Sequence, residues 1–382
     1  MNFALTEEEL MIRDSARRMA GEQLGPLVAT LDRGGGRQEF LDNLRSAARA
    51  GFASLCMDER YGGANATTVA MALAIDEVAY ACPSTAVTLA LTNMVTFILQ
   101  AFGTDEQKDR YLRRFADGSY VSGAFALTEA GAGSDPASMK TRADLEDEGF
   151  VLNGEKIFCT SAEYAGLFVV WAVTDRSAPK GKGISLFLVE AGTPGLVVGK
   201  AENKMGQRGS ATNTVIFEKC RIPRSALIGR LNDGFRIAVA ELALGRIGIA
   251  SLALGIARAA LDRTKEHVKQ RVQFGQSLAN FQGLQWMIAD REVDIEAARL
   301  LILNAAAKRD RGEPFAREAS MAKLFASEAA HRVTDTAIQL HGGFGYVEDA
   351  GIERLARDAR VTRIYEGASE VQRMIIARHA LQ

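Results

Sequence analysis

The hydrophobic period of this chain changes twice, and that limits what it can fold into. From Thr6 to about Gly118 the pattern is helical, in Ala- and Leu-rich segments such as MALAIDEVAYA. From about Ser119 to Ile228 the runs become short and β-rich: LFVVWAVT, GISLFLVE and TNTVIFEKCRIP read as strands, the last ending near Pro223. From Gly234 onward long helical patterns return. At 382 residues the chain is also too long for one ordinary core. We expect an α+β multidomain protein with an N-terminal α-helical domain at 1–118, a middle β domain at 119–228 and a C-terminal α-helical domain at 229–382.

Local signals sharpen this outline. Thr6 and Glu9 form a capping box, with Leu5 and Leu10 as a hydrophobic staple, so a helix starts at about Thr6. Thr104, ahead of Asp105, Glu106 and Gln107, is a second capped start. Asn153-Gly154, between apolar flanks, reads as a hairpin turn. Phe274-Gly275 reads as another turn, and residues 340–349 as a helix break. The stretch from Ile237 to Leu261 is apolar enough to mimic a membrane span, but it carries Glu241, Arg246 and Arg258, so it reads as a helix buried in a bundle.

Composition excludes several classes. A net charge of −1 gives no reason to expect a nucleic-acid or membrane-surface partner. Cys56, Cys82, Cys159 and Cys220 form no CxxC pair, which favours free thiols in a reducing, cytoplasmic setting. The four histidines lack metal-ligand spacing, so no metal is expected, and no signal or transit segment is visible.

Three segments carry chemistry. IYEGASEVQR, 364–373, places one carboxylate, Glu366, between an aromatic residue and a glycine. Ser369 and Gln372 read as a capping box that starts the last helix and leaves Glu366 in the loop before it. A carboxylate in an apolar loop is costly unless it is paired or has a raised pKa. It is therefore either a helix-dipole acid or a catalytic base. ALTEAGAGSDPAS, 126–138, has glycines that let backbone approach a ligand closely, and QLHGGFGYVEDAGIERLARD, 339–358, places three glycines between helical stretches. Neither is a dinucleotide fingerprint or a P-loop.

Together the domain order, both glycine segments and IYEG resemble the acyl-CoA dehydrogenase family over essentially the whole chain. The resemblance implies a β-barrel or sandwich in the middle and a four-helix bundle at the C-terminus. It implies FAD as cofactor, an acyl-CoA substrate, electron-transferring flavoprotein as electron acceptor, and a homotetramer. Glu366 is similar to the base that removes the α-proton while hydride leaves the β-carbon for flavin N5, giving a trans-2-enoyl-CoA. The Glu366 N–H is similar to one that helps hold the thioester oxygen. Phe125, Leu127, Thr128, Gly133 and Ser134 look like the flavin loop, and Phe158 and Thr160 like the next flavin segment. Arg271, Gln273, Phe274, Phe281 and Gln282, with Gln339, Gly342 and Gly343, look like the part that reaches the FAD of a neighbouring subunit. Ala368 and Glu370 would lie beside the flavin. Ser134, Leu242, Arg246 and Gly367 look like substrate contacts.

Three positions depart from the family pattern: Phe158 where Trp is frequent, Ala243 where Asp is common, and Ala368 where Thr is common. Some members carry the base near positions 242–245, which hold no acid here, and this favours Glu366. The C-terminal half reads like the members acting on short, branched or cyclic acyl groups, and VTLALTNMVTFIL, 87–99, is the expected acyl-pocket wall. The rival readings are a flavin oxidase or monooxygenase on the same fold, and a non-catalytic helical scaffold. The monooxygenases lack the IYEG acid. A scaffold would be colourless.

Overall fold

The computed structural model describes residues 4–381. Six helices open the chain: α1 (Glu7–Met19), α2 (Val28–Asp32), α3 (Arg37–Arg49), α4 (Thr68–Ala81), α5 (Pro83–Phe102) and α6 (Asp105–Ala116). Both expected capped starts are present. Thr6 Oγ1 accepts the Glu9 N–H while Glu9 accepts the Thr6 N–H, and Thr104 and Gln107 repeat the exchange. These boxes satisfy donors that helix termini otherwise leave orphaned.

The next eight strands are β1 (Gly123–Ala126), β2 (Arg142–Glu146), β3 (Gly149–Thr160), β4 (Leu167–Val173), β5 (Ile184–Glu190), β6 (Leu196–Ala201), β7 (Thr212–Pro223) and β8 (Leu227–Ile228). They make one sheet in the order β6-β7-β3-β2-β4-β5-β8, with β1 parallel to β4. Strands β4 and β5 are apolar on both faces because both are covered. Leu167, Val169, Trp171, Leu186 and Leu188 pack with Val95, Ile98 and Leu99 of α5, while Phe168, Val170, Phe187 and Val189 share a second core with Leu152, Val215 and Phe217.

Asn153-Gly154 is not a hairpin turn. The turn comes earlier, where Glu146 pairs with Gly149, and Asn153 and Gly154 lie inside β3 at a register shift against β7. Asn153 Oδ1 accepts the Lys219 N–H at 2.9 Å, and a Cβ on Gly154 would stand 2.5 Å from Thr141 Oγ1. The glycine serves a β-bulge under close backbone approach.

Helix α7 (Gly234–Gln270) then begins the C-terminal part, followed by the β9 (Val272–Gln273) and β10 (Gln276–Ser277) hairpin, α8 (Gln282–Asp310), α9 (Ala316–His341), α10 (Gly343–Tyr346), α11 (Ile352–Arg360) and α12 (Ser369–Ala380). The expected turn at Phe274-Gly275 closes the β9–β10 hairpin, with φ of 52° and 78°. Helices α5 and α7 are long and apolar enough to cross a membrane, but 78% and 83% of those windows lie buried inside the protein. Helix α12 starts at Ser369 as expected, yet without the expected capping box. Ser369 Oγ instead donates to Glu328 at 2.8 Å, and Gln372 Nε2 turns back to the carbonyls of Glu366 and Gly367.

Helix α7 is buried without a break from residue 243 to residue 257 and packs on α4, α5, α8 and α9. Gly255 lets α4 come close: a Cβ there would stand 2.3 Å from the Asp76 carbonyl oxygen. At this crossing Arg258 bonds Asp76 at 2.7 Å and Glu77 at 3.3 Å, and Arg17 of α1 bonds Glu77 at 2.8 Å. Burial pushes Asp76 up to about 7 against the pull of Arg258. Removing one partner of a buried pair strands the other charge. Arg258→Met is expected to lower unfolding free energy by about 3–5 kcal/mol, read from the urea midpoint, while Arg258→Met with Asp76→Asn and Glu77→Gln recovers part of the loss.

Candidate active site

Helices α5 and α7 run antiparallel, with Met94 against Gly245 and Ala90 against Gly248. The loop before α12 covers this seam. A Cβ on Gly245 would meet Met94 at 2.7 Å and Glu366 Oε2 at 3.0 Å, so glycine here leaves room for the carboxyl. Glu366 has φ of 54° and Gly367 φ of 90°. A left-handed glutamate costs about 1–3 kcal/mol and persists only where neighbours over-determine it. Here they do. The Gly367 carbonyl accepts from Lys323 Nζ at 2.7 Å and Gln372 Nε2 at 2.9 Å, and the Glu366 carbonyl from Gln372 Nε2 at 3.1 Å. Tyr365 Oη accepts from Gln207 Nε2 at 3.2 Å, and the Gln207 N–H donates to the Asp358 carboxylate. The β domain and α11 thus hold the loop from its other side.

Glu366 is half-buried as a residue, but its Oε2 is fully buried without a hydrogen-bond partner. Burial pushes its pKa up, opposed by the nearby cations Arg246 and Lys323. Neither cation forms an ion pair with it among the described residues. Arg246 reaches Ser320 Oγ at 3.3 Å and keeps Nε unpartnered, while burial brings Lys323 down to about 8. A carboxyl raised by burial, unpaired and facing a seam, is equipped to take a proton from a ligand.

The 126–138 glycine segment is set by a buried ion pair that the sequence did not reveal. Lys156, fully buried in β3, donates to Glu129 at 2.8 Å and to the Leu127 carbonyl at 3.0 Å. Glu129 also accepts the N–H groups of Lys140 and Thr141. Burial lowers Lys156, opposed by Glu129, and Lys156 keeps Glu129 below its ordinary value despite burial. Gly133 and Ser134 are exposed, and nothing lies within 4 Å of a Cβ built on Gly131 or Gly133. Phe158, at φ of 55°, is turned out of β3 and 63% exposed, near half-buried Thr128 and Thr160. Phe125 packs on Trp171 at 4.3 Å and Leu127 is buried. An open backbone edge beside an exposed aromatic ring fits a large planar group with polar edges.

The second set lies elsewhere. Arg271, Gln273, Gln339, Gly342 and Gly343 line one cavity of about 620 Å³, with a stacked pair, His267 and His341, on its wall. Phe274, at the hairpin tip, is 94% exposed and packs edge-on to Phe281 at 6.3 Å. Phe281 and Gln282 do not line the cavity, nor does any residue of the 125–134 segment. Ala368 and Glu370 flank the start of α12 beside Glu366, and Leu242 lies half-buried one turn before Arg246. The residues missed by sequence reasoning are Lys156, Gln207 and Lys323, and with them the buried partners of Glu129 and Asp358. A lysine inside an otherwise apolar strand or helix face was the available signal.

Acyl-CoA dehydrogenase N-terminal, middle and C-terminal domain descriptions match residues 6–119, 124–220 and 232–381. The human mitochondrial short-chain specific acyl-CoA dehydrogenase is 44% identical, covering 99% of this chain and 91% of its own. An acryloyl-CoA reductase (NADH) of Anaerotignum propionicum is 41% identical over 100% of this chain and 96% of its own. The solved butyryl-CoA dehydrogenase of Megasphaera elsdenii superposes with a TM-score of 0.96 at 38% identity, covering both chains completely. The chain belongs to the acyl-CoA dehydrogenase family.

Lys156→Met removes one partner of the buried pair under the glycine segment. It is expected to cost about 3–5 kcal/mol in urea unfolding, and adding Glu129→Gln to relieve much of that loss.

Proposed function

We propose that this chain is an FAD-dependent acyl-CoA dehydrogenase in which Glu366 takes the α-proton of the thioester. The observation that carries the reading is the partnerless, buried Glu366 carboxyl at the α5–α7 seam, held in a left-handed loop. FAD, when bound, supplies the acceptor for the β-hydride. The 125–134 segment with Phe158 and Thr160 would hold its ring. Arg271, Gln273, Phe274, Phe281, Gln282, Gln339, Gly342 and Gly343 would hold the far end of a neighbouring subunit's FAD.

The chain's own residues do the rest. The proton goes to Glu366 Oε2, and the Glu366 N–H, which makes no hydrogen bond among the described residues, is free to hold the thioester oxygen. Arg246 and Lys323 stabilise the carboxylate before transfer. Apolar walls from α5 and α7 exclude water. Around Gly248 and Ala90 both helices are buried, so the seam is closed at that end, which supports a short, branched or cyclic acyl group. Electrons then pass to electron-transferring flavoprotein. Exposed Trp286, Val293, Phe344 and Tyr346 support assembly as a homotetramer. The four free cysteines support a cytoplasmic setting, and the domains divide at 118/119 and 228/229. The reductase relative favours one second reading: the same residues returning a proton to C2 of an enoyl-CoA. Forward and reverse rates measured on one acyl/enoyl pair separate the two.

Glu366→Gln should bind acyl-CoA and keep its flavin but turn over at least roughly a hundredfold slower; near-normal turnover sinks the assignment. The wild-type rate should fall as pH drops through the raised Glu366 value, above the ordinary carboxylate range, because a base must be ionised. Arg271→Ala should lose FAD affinity and weaken the oligomer together, since a group bound only by the assembled state stabilises that state. Unchanged flavin content and sedimentation would contradict the cross-subunit role.

A further inference from the structure

Three buried polar atoms around this seam have no partner: Glu366 Oε2, Arg246 Nε and Glu241 Oε2. Orphaned buried polar groups are rare because each costs about 1–3 kcal/mol. The first two belong to the site already described. Glu241 does not, and it is only 1% exposed.

Its place follows from the helix register. Glu241 is four residues before Gly245 on α7, so it shares the face that meets α5. The antiparallel seam pairs Gly248 with Ala90 and Gly245 with Met94, and the next turn carries Glu241 to the level of Phe97. Arg309 of α8 lies over the Phe97 ring at 4.2 Å, bonds Thr68 Oγ1, and is the charge that acts on Glu241. Arg309 and Glu241 nonetheless form no ion pair among the described residues.

The two ends of the seam differ. Toward Gly248 and Ala90 both helices are fully buried. Toward Glu241, residues 239 and 240 are exposed, residue 242 is half-buried, and α5 is half-buried at Phe97 and Gln100 while Ile98 and Leu99 stay buried. The acyl group therefore enters the closed end, and the arm beyond the thioester leaves past Glu241. Helical rise puts Glu241 about 6 Å along the seam from Gly245, within reach of the first amide of that arm.

We propose that Glu241 is a further substrate-binding residue, a hydrogen-bond donor to an amide oxygen of the arm joining the thioester to the rest of CoA. The proposal rests on Glu366 marking the reacting carbons. Burial pushes the Glu241 carboxyl up to about 8, so it carries its proton at neutral pH and presents O–H to an acceptor. The contact positions the substrate and selects thioesters that carry the amide.

The test uses the Glu366→Gln protein, whose turnover is expected to be at least roughly a hundredfold slower, and calorimetric binding of acyl-CoA and of the same acyl group as an ethyl thioester, which lacks amides. Adding Glu241→Leu should weaken acyl-CoA binding about tenfold, the scale of one hydrogen bond. Glu241→Gln, which keeps an N–H donor, should stay near the parent, and ethyl thioester binding should not respond to either change. Acyl-CoA binding unchanged in Glu241→Leu overturns the proposal, as does an equal loss for both ligands, which would mean packing alone. A parent that binds no acyl-CoA overturns the active-site reading as well. If Glu241→Leu does not fold, the pH series decides. Parent binding should weaken as pH rises through about 8, by more than in Glu241→Gln, where Lys323 and Arg309 still face the site. Identical series overturn the proposal.

Discussion

The site depends on how closely α7 can be approached. A helix buried on nearly every face has to pass its neighbours at short range, and glycines at 245, 248 and 255 permit this at three points along it. Gly255 brings α4 near enough for the Asp76, Glu77, Arg258 and Arg17 network. Gly248 and Gly245 bring α5 close and leave one side chain's width at the Glu366 carboxyl. A larger residue at 245 would displace either Met94 or the base. The packing that holds the helical halves together is thus also what shapes the seam.

The second constraint is the loop itself. Its strained glutamate is held by bonds to backbone carbonyls from Lys323 and Gln372 and by the Tyr365, Gln207 and Asp358 chain. None of these bonds touches the Glu366 carboxyl. The backbone is therefore fixed while the acid stays unpaired, the combination a base needs: defined position without a partner to quench it. Burial pushes Asp358 up to about 6, so part of the loop's support carries its own sensitivity to pH.

What was legible in the sequence followed from local rules. The two changes of period, the strands in LFVVWAVT and GISLFLVE and the Thr6 and Thr104 caps depend on residues a few positions apart. So does the isolation of Glu366 before the last helix. The misreadings came where a distant group won. Asn153-Gly154 has hairpin chemistry, but β7 pairs along both sides of it and Thr141 crowds the glycine, so the strand bulges and continues. Ser369 has cap chemistry, but Glu328, 41 residues away, takes its hydroxyl. Strand β6 passed unnoticed because its side chains are mostly half-buried, without clean alternation. Lys156 and Glu129 are 27 residues apart, and Lys323 and Gly367 44, distances at which only the fold introduces the partners.

The central claim is that Glu366 is the group that takes the C2 proton, and exchange of that proton tests it most directly. Acyl-CoA incubated with the holoprotein in D2O, without an electron acceptor, should gain deuterium at C2 with wild type. Glu366→Gln, bound to the same ligand, should leave C2 unlabelled. Deuterium entering C2 at the wild-type rate in the Gln variant would contradict the account and require a different base.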